Sequence, residues 1–282
     1  MTALILNVVL SVLFFHVIRA AQVRGNNMMV VGAVNYVLAS AASFALSWLD
    51  GNLALSSTTL FWGAVQGIAF VVTFFLICAS MSVSGMAIST AFMRLSVVIP
   101  VVASIVVWGE VPNIYQVFGI LACVGSLPLI GMRTQKGGRS SGVGWRDVGV
   151  LTMLFFGVGI AGLASKAFVE ADVPDARTTY MGVLYGVAAL GGLATFLSPR
   201  WRRNRSGVWG GVKMGFFNVT SIVAYLVALE QVPGVVAFPV QASGGLLLNT
   251  AFAAIVWRER FAGHTMVGMG LGAVGLVLVN LN

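Results

Sequence analysis

The chain has 282 residues, of which 59% are apolar and 9% are charged. Ordinary soluble domains carry about 25% charged residues, so this composition excludes a typical soluble protein. The formal net charge is +8, but the basic residues lie in short loops between apolar runs. That placement predicts a protein of the lipid bilayer with no nucleic-acid partner.

Ten continuous apolar runs follow one another along the chain. A membrane-spanning helix needs about 20 such residues, whereas a β-barrel would show alternating segments of about ten. We therefore predict an all-α polytopic membrane protein. Its ten transmembrane helices are expected at residues 2–18, 28–48, 59–80, 86–108, 114–132, 148–168, 177–198, 208–230, 235–257 and 264–281.

The basic loops predict how the chain is oriented. Loops after the first, fifth, seventh and ninth runs hold most of the Lys and Arg residues. If ten helices alternate in direction, these loops share one side of the membrane, and the positive-inside rule places that side in the cytoplasm. Both termini are then outside, in the periplasm of a cell inner membrane. Residues 1–6 contain no Lys or Arg, so we interpret the first run as a retained helix rather than a signal peptide.

An internal repeat relates the two halves of the chain. Residues 84–130 align without a gap with residues 233–279, although apolar helices also resemble one another by composition alone. The aligned pairs include Gly85 with Gly234, Trp108 with Trp257, and Glu110 with Glu259. Each half holds five predicted helices, and an odd number inverts the second half in the membrane. We predict inverted repeats at residues 1–132 and 148–282, joined by a basic cytoplasmic linker at residues 133–147.

This arrangement resembles the EamA-type transporters of the drug/metabolite transporter (DMT) superfamily. The resemblance is carried by Trp108-Gly109-Glu110 and Trp257-Arg258-Glu259 at matching places, although Arg258 departs from the Gly-Glu pattern. The segment Arg94-Leu95-Ser96-Val97-Val98-Ile99-Pro100 is similar to a bacterial branch with a basic residue just before Ser-Val-Val-Ile-Pro. The resemblance implies a carrier of small solutes such as amino acids, metabolites, nucleotide sugars or drugs, without indicating which.

Arg94 is the leading candidate for a substrate-binding residue. It is the ninth residue of the fourth predicted helix, near the middle of the bilayer, where a charge costs several kcal/mol and indicates function. Pro100 lacks an N–H, so we expect the Ser96 carbonyl to lose its helical partner and the helix to loosen there. Two roles are open for Arg94. It binds a carboxylate or phosphate of the substrate, or it hydrogen-bonds helix carbonyls and holds the two halves together.

The ninth predicted helix contains Pro239 and a Gly244-Gly245 pair in the corresponding region. Interruptions at matching places in two repeats point to a binding site, so we expect this helix to be interrupted as well. The remaining candidate site residues are polar side chains inside apolar runs, and interhelical hydrogen bonds are the alternative role for each. They are Gln241 and Ser243 on the ninth helix, Asn218 and Tyr225 on one face of the eighth, and Gln66 on the third.

None of the eight acidic residues lies in the middle of a predicted helix. The sequence therefore predicts a secondary transporter that moves a small anionic or zwitterionic, amino-acid-like metabolite by alternating access. It would work without a buried carboxylate for proton coupling. Two alternatives are open: a proton-coupled drug or cation exporter, and a non-transport membrane protein such as a lipid scramblase.

Enzyme activity is not expected from this sequence. With two His residues and no buried acid, no nucleophile–base pair or metal site can be assembled, and no phosphate loop is present. We predict no catalytic residue, no metal and no cofactor. The expected partners are a small-molecule solute and the bilayer, with a monomer and a homodimer both open. Glu110 and Glu259 are left with two possible roles, the capping of neighbouring N–H groups or the gating of one mouth.

Overall fold

A computed structural model describes residues 1–51, 53, 55–83, 93–131, 145–171, 173, 176–196, 206–256, 263–279 and 281. The described residues form ten α-helices, which confirms an all-α polytopic membrane protein. The helices are α1 (Thr2–Val23), α2 (Met28–Leu49), α3 (Ser57–Val83), α4 (Val98–Val106), α5 (Ile114–Gly131), α6 (Trp145–Glu170), α7 (Arg177–Phe196), α8 (Val208–Gln231), α9 (Gly234–Val256) and α10 (Gly263–Val279). Within the described residues, helices α2, α3, α6 and α8 are long and apolar enough to cross a membrane.

Local sequence signals set the turn between α1 and α2. Gly25 adopts a φ of 68°, a left-handed conformation that suits a residue without a Cβ. The Asn26 N–H then reaches back to the carbonyl of Ala21 at 3.0 Å, which closes the end of α1. Asn27 begins α2, since its side-chain oxygen accepts a hydrogen bond from the Met29 N–H at 3.1 Å.

The chain divides into two compact units, and the division falls within α3 and within α6. Unit 1 comprises Met1–Val71 and Ala164–Gln231, and unit 2 comprises Val72–Leu163 and Val232–Asn282. In unit 1, α2 packs against α7, and both α1 and α2 pack against α8. In unit 2, α5 packs against α10, and α9 packs against α4, α5 and α10.

The compact units draw helices from both halves of the sequence. Three of the packed pairs, α2 with α7, α4 with α9 and α5 with α10, join helices that hold the same rank in the two predicted repeats. Repeats at residues 1–132 and 148–282, inverted in the membrane, stay a prediction.

Close backbone approach explains the glycines between α5 and α10. A Cβ on Gly275 would lie 2.8 Å from the backbone nitrogen of Cys123 and 2.9 Å from the carbonyl oxygen of Gly119. Real Cβ atoms do not approach backbone so closely, so a side chain at this position would push the helices apart. Small residues at helix contacts are typical of membrane proteins, where van der Waals packing drives association.

Glu110 has the capping role, one of the two roles that the sequence left open for it. Gly109 ends the segment after α4 with a φ of 65°, and Glu110 follows. Its Oε1 accepts a hydrogen bond from the Gly234 N–H at 2.8 Å, and its Oε2 accepts one from the Val235 N–H at 2.7 Å. The carboxylate therefore caps the N-terminus of α9, where the first N–H groups have no helical partners. Glu259 lies outside the described residues.

Candidate functional site

Arg94 lies in a helical segment that precedes α4 and is described from Met93 onward. Residues 93–95 are helical, Ser96 and Val97 form a turn, and α4 begins at Val98. The Val97 N–H donates to the Arg94 carbonyl at 3.3 Å, and the Ile99 N–H donates to the Ser96 carbonyl at 3.0 Å. Both bonds span three residues instead of the four of an α-helix. The predicted loosening of this helix is confirmed.

Pro100 supplies the physical reason for the break. It cannot donate a hydrogen bond to Ser96, and its ring would clash with that carbonyl in a continuous helix. By starting α4 anew at Val98, the chain places Pro100 in the first turn, where an N–H needs no helical partner. Arg94 is left partly buried one turn before the new helix.

The matching interruption expected in α9 is absent, and that prediction is wrong. Helix α9 runs continuously from Gly234 to Val256 with Pro239 inside it. Because Pro239 is close to the helix start, it deprives only the carbonyl of Val235 of a bond, and the later turns keep theirs. Gly244 and Gly245 are buried within the helix without ending it.

Ser243 and Gln241 occupy different faces of α9. Ser243 is buried, and its hydroxyl donates a hydrogen bond of 3.1 Å to the carbonyl of Cys123 on α5. The same carbonyl accepts a second hydrogen bond of 2.7 Å from the Ser126 hydroxyl. Gln241 is partly buried. Residues two apart on a helix do not face each other, so α9 does not bring the Gln241 and Ser243 side chains together.

Gln66 belongs to a buried hydrogen-bonded group in unit 1. Its Nε2 donates to the hydroxyl of Ser165 at 2.7 Å, and its Oε1 accepts a hydrogen bond from the hydroxyl of Tyr180. The ring of Tyr180 stacks on the ring of Phe168, with centroids 3.8 Å apart. Gln66 therefore links α3, α6 and α7 within a cluster of buried aromatic side chains.

Asn218 belongs to a second buried group in the same unit. Its Oδ1 accepts a hydrogen bond of 3.0 Å from the hydroxyl of Tyr185, and its Nδ2 donates one of 3.1 Å to the Oδ1 of Asn35. These contacts join α8 to α7 and to α2. Tyr225, seven residues along α8, is also buried. The structure thus places Gln66, Asn218 and Tyr225 in unit 1, and Arg94, Gln241 and Ser243 in unit 2.

Sequence reasoning missed the partners of these residues. Ser165 and Tyr180 were not singled out, and Asn35 and Tyr185 were only two among many polar residues inside apolar runs. The ion pair between Lys166 and Glu170 had a local signal, since a spacing of four residues places both side chains on one helical face. Lys166 is 2% exposed, so it does not reach water as a lysine near a helix end often does.

The part of the chain that the structure describes shows no cluster of side chains suited to a metal ion. No three His, Cys, Asp or Glu residues of that part lie close enough together to hold a metal ion.

Comparisons with known proteins agree with this architecture. Residues 147–281 match the EamA-like transporter family. An uncharacterized protein of Haemophilus influenzae is 25% identical over 199 residues, which is 70% of this chain and 67% of that relative. A solved crystal structure is similar over 99% of this chain and 97% of that chain, with a TM-score of 0.77. Its sequence identity is 15%, so this likeness supports the fold alone.

Proposed function

We propose that the chain is a membrane transporter of the DMT type, because residues 147–281 match the EamA-like transporter family. The substrate is a small anionic or zwitterionic metabolite, resembling an amino acid. The chain moves it across the inner membrane by alternating access, and no buried carboxylate couples the movement to protons.

One observation carries this proposal. Arg94 is a partly buried cation in an otherwise apolar segment, placed two residues before the helical break at Ser96 and Val97. A charge at membrane depth is expensive and is a functional hypothesis by default. Irregular backbone at that depth is tolerated where it is buried in protein or lines a water-filled cavity. A guanidinium presents a rigid fork of donors that matches a carboxylate or phosphate.

Four acidic side chains that the structure describes support the absence of proton coupling through a buried acid. Asp50, Glu170 and Glu230 are exposed. Glu110 is engaged at the N-terminus of α9 through both carboxylate oxygens. A cation exporter driven by protons would need a titratable acid at depth, and these four residues offer none.

The other proposed site residues differ in their roles, since some contribute polar groups and one positions a helix. Gln241 contributes an uncharged polar group in unit 2, the unit that also holds Arg94. Ser243 positions α9, because its hydroxyl proton is donated to the Cys123 carbonyl. Gln66, Asn218 and Tyr225 contribute polar groups in unit 1, where Gln66 and Asn218 are held in place by their hydrogen bonds.

A thermal-shift screen of the detergent-purified protein tests the proposal. The ligands are carboxylates, phosphates, zwitterions and organic cations of similar size, each measured with wild type, Arg94→Ala and Arg94→Lys. A ligand that binds the folded state alone raises the unfolding temperature. We expect anions or zwitterions to stabilise wild type, Arg94→Lys to lose part of the effect, and Arg94→Ala to lose all of it.

Arg24→Ala is the matched control, because Arg24 is an exposed arginine just after α1. In this variant the ligand should raise the unfolding temperature as much as it does in wild type. If anions stabilise Arg94→Ala as much as wild type, Arg94 has a structural role and does not bind the anion. Stabilisation by cations would favour the exporter, and lipid flipping by the protein in vesicles without any solute effect would favour the scramblase.

A further inference from the structure

A directional chain of hydrogen bonds in unit 1 ends on a donor for which the described residues supply no acceptor. The hydroxyl of Tyr185 donates to Asn218 Oδ1, and Asn218 Nδ2 donates to Asn35 Oδ1. Asn35 is fully buried, and its Nδ2 has no hydrogen-bond partner among the described residues. Since nearly all buried polar groups in folded proteins are hydrogen-bonded, this amide indicates a missing acceptor.

A complementary group on α1 is anchored to the adjacent turn of α8. Asn7 is 2% exposed, and its Nδ2 donates to the carbonyl and to the hydroxyl of Ser221 at 2.9 and 3.0 Å. Its Oδ1 has no partner among the described residues. Ser221 follows Asn218 by three residues, and residues three apart are neighbours on a helix surface. An unused donor from α2 and an unused acceptor from α1 are therefore anchored to adjacent positions of α8.

The surroundings favour an uncharged ligand. Among the Lys and Arg side chains of unit 1 that the structure describes, Lys166 pairs with Glu170, Arg177 pairs with Glu230, and Arg24 and Lys213 are exposed. A buried carboxylate or ammonium would be costly without a partner charge. The adjoining rings are flat and apolar, with Tyr36 stacked on Tyr185 at 6.4 Å between centroids and Phe70 tilted against it at 6.5 Å.

We propose that Asn7, Asn35, Asn218 and Tyr185 form a second binding site, within unit 1, for an uncharged polar group that both accepts and donates hydrogen bonds. A primary carboxamide or a hydroxyl group on a flat apolar body has this chemistry. Asn35 Nδ2 donates to its oxygen, and Asn7 Oδ1 accepts its proton. This site shares Asn218 with the residues proposed for transport, but it goes beyond the transport of an anion or zwitterion because it uses neither Arg94 nor any other charge.

Benzamide and benzoate are the probes for a first test. The two molecules share a shape, but only benzamide is uncharged and has a donor. In a thermal-shift titration of the detergent-purified full chain, we expect benzamide to stabilise wild type and Arg94→Ala equally. Benzoate should have no effect in Arg94→Ala. The variant Asn35→Leu, which replaces the amide by an apolar side chain of similar size, should weaken benzamide binding about tenfold or more.

Ser43→Ala is the matched control, since Ser43 is a buried residue of α2 whose hydroxyl also has no partner among the described residues but stands outside the chain of bonds. It should bind benzamide as wild type does. If Asn35→Leu does not fold, Tyr185→Phe replaces it, because it keeps the ring and removes the first donor, and benzamide binding should fall several-fold.

Three outcomes would overturn this site. The first is that benzamide does not stabilise wild type. The second is that Asn35→Leu, or Tyr185→Phe in its place, binds benzamide as tightly as wild type does. The third is that Arg94→Ala abolishes the benzamide effect, which would assign binding to the Arg94 site. If Asn35→Leu is more stable than wild type and benzamide binds to neither, the amide holds an internal water. The first two outcomes leave the transport proposal unaffected, since its own screen depends on Arg94.

Discussion

Glu110 and Gly234 are joined by a hydrogen bond of 2.8 Å, in which the backbone N–H of the glycine donates to a carboxylate oxygen. The other carboxylate oxygen accepts the N–H of Val235 at 2.7 Å. One side chain after α4 thereby supplies two acceptors to the start of α9, the helix that carries Gln241 and Ser243. The Trp-Gly-Glu motif has a structural meaning here, because left-handed Gly109 precedes the glutamate that makes the cap.

Replacing Glu110 should lower stability in proportion to the acceptors lost. We expect Glu110→Ala to reduce the free energy of unfolding by about 1–2 kcal/mol, as the loss of a helix cap does. Glu110→Gln keeps one acceptor oxygen and should lose less. Thermal unfolding in detergent measures the difference. Asp50→Ala removes an exposed carboxylate at the end of α2 and should change little. A Glu110→Ala protein as stable as wild type would show that the cap contributes nothing.

The contact between α5 and α10 should tolerate no side chain at Gly275. A methyl group there would meet the backbone of Cys123 at 2.8 Å, so Gly275→Ala should destabilise the protein by about 1–3 kcal/mol through overpacking. Gly270→Ala is the control on the same helix, because a Cβ at that position has nothing within 4 Å. The control should be neutral or slightly stabilising, since alanine favours helix more than glycine does. Equal unfolding temperatures for the two variants would contradict the close approach.

The break before α4 should depend on Pro100. In Pro100→Ala, a new N–H can donate to the Ser96 carbonyl and continue the helix through Ser96 and Val97. We expect slower amide hydrogen exchange in residues 97–101 and a slower transport rate. The gain in stability should be about 1 kcal/mol, the worth of one hydrogen bond. Pro239→Ala is the control, since α9 is already continuous around that proline. Unchanged exchange in Pro100→Ala would mean that other contacts impose the break.

The two ion pairs of unit 1 should differ in their importance for stability. Glu170 and Glu230 are 38% and 40% exposed, but their partners differ, with Lys166 2% exposed and Arg177 36% exposed. Glu170→Gln removes the carboxylate paired with a buried ammonium and should cost about 2 kcal/mol, less than breaking a fully buried pair. Glu230→Gln breaks an exposed pair and should cost less than about 1 kcal/mol. Thermal unfolding of both variants checks the order, and a reversed order would contradict it.

The sequence predicted those features of the fold that are local. Continuous apolar runs predicted the ten helices. In the hydrocarbon core of a bilayer, an apolar segment must satisfy its backbone N–H and C=O groups by hydrogen bonds within itself, as a helix does. Pro100 predicted the break beside it for the same local reason. The equivalent argument failed at Pro239, because the effect of a proline depends on where the helix begins, and the start of α9 is set by Pro233 and the distant Glu110.

The hydrogen-bond partners in the candidate site could not be predicted from the sequence. Gln66 bonds to Ser165, 99 residues away, and Asn218 bonds to Asn35, 183 residues away. Such pairs exist only once the helices have packed. No local pattern distinguishes a polar residue that binds a neighbouring helix from one that binds a solute. The unused atoms of Asn35 and Asn7 likewise became visible only after their other bonds were known.

Transport in proteoliposomes tests the central claim most directly. The substrate is the anion or zwitterion that stabilises wild type best, radiolabelled and supplied at equal pH on both sides of the membrane. We expect uptake down its own gradient by wild type and by Arg24→Ala, and none by Arg94→Ala, although all three proteins reconstitute equally. Uptake that requires a pH gradient, or that continues undiminished in Arg94→Ala, would contradict a carrier that binds its substrate through Arg94 without proton coupling.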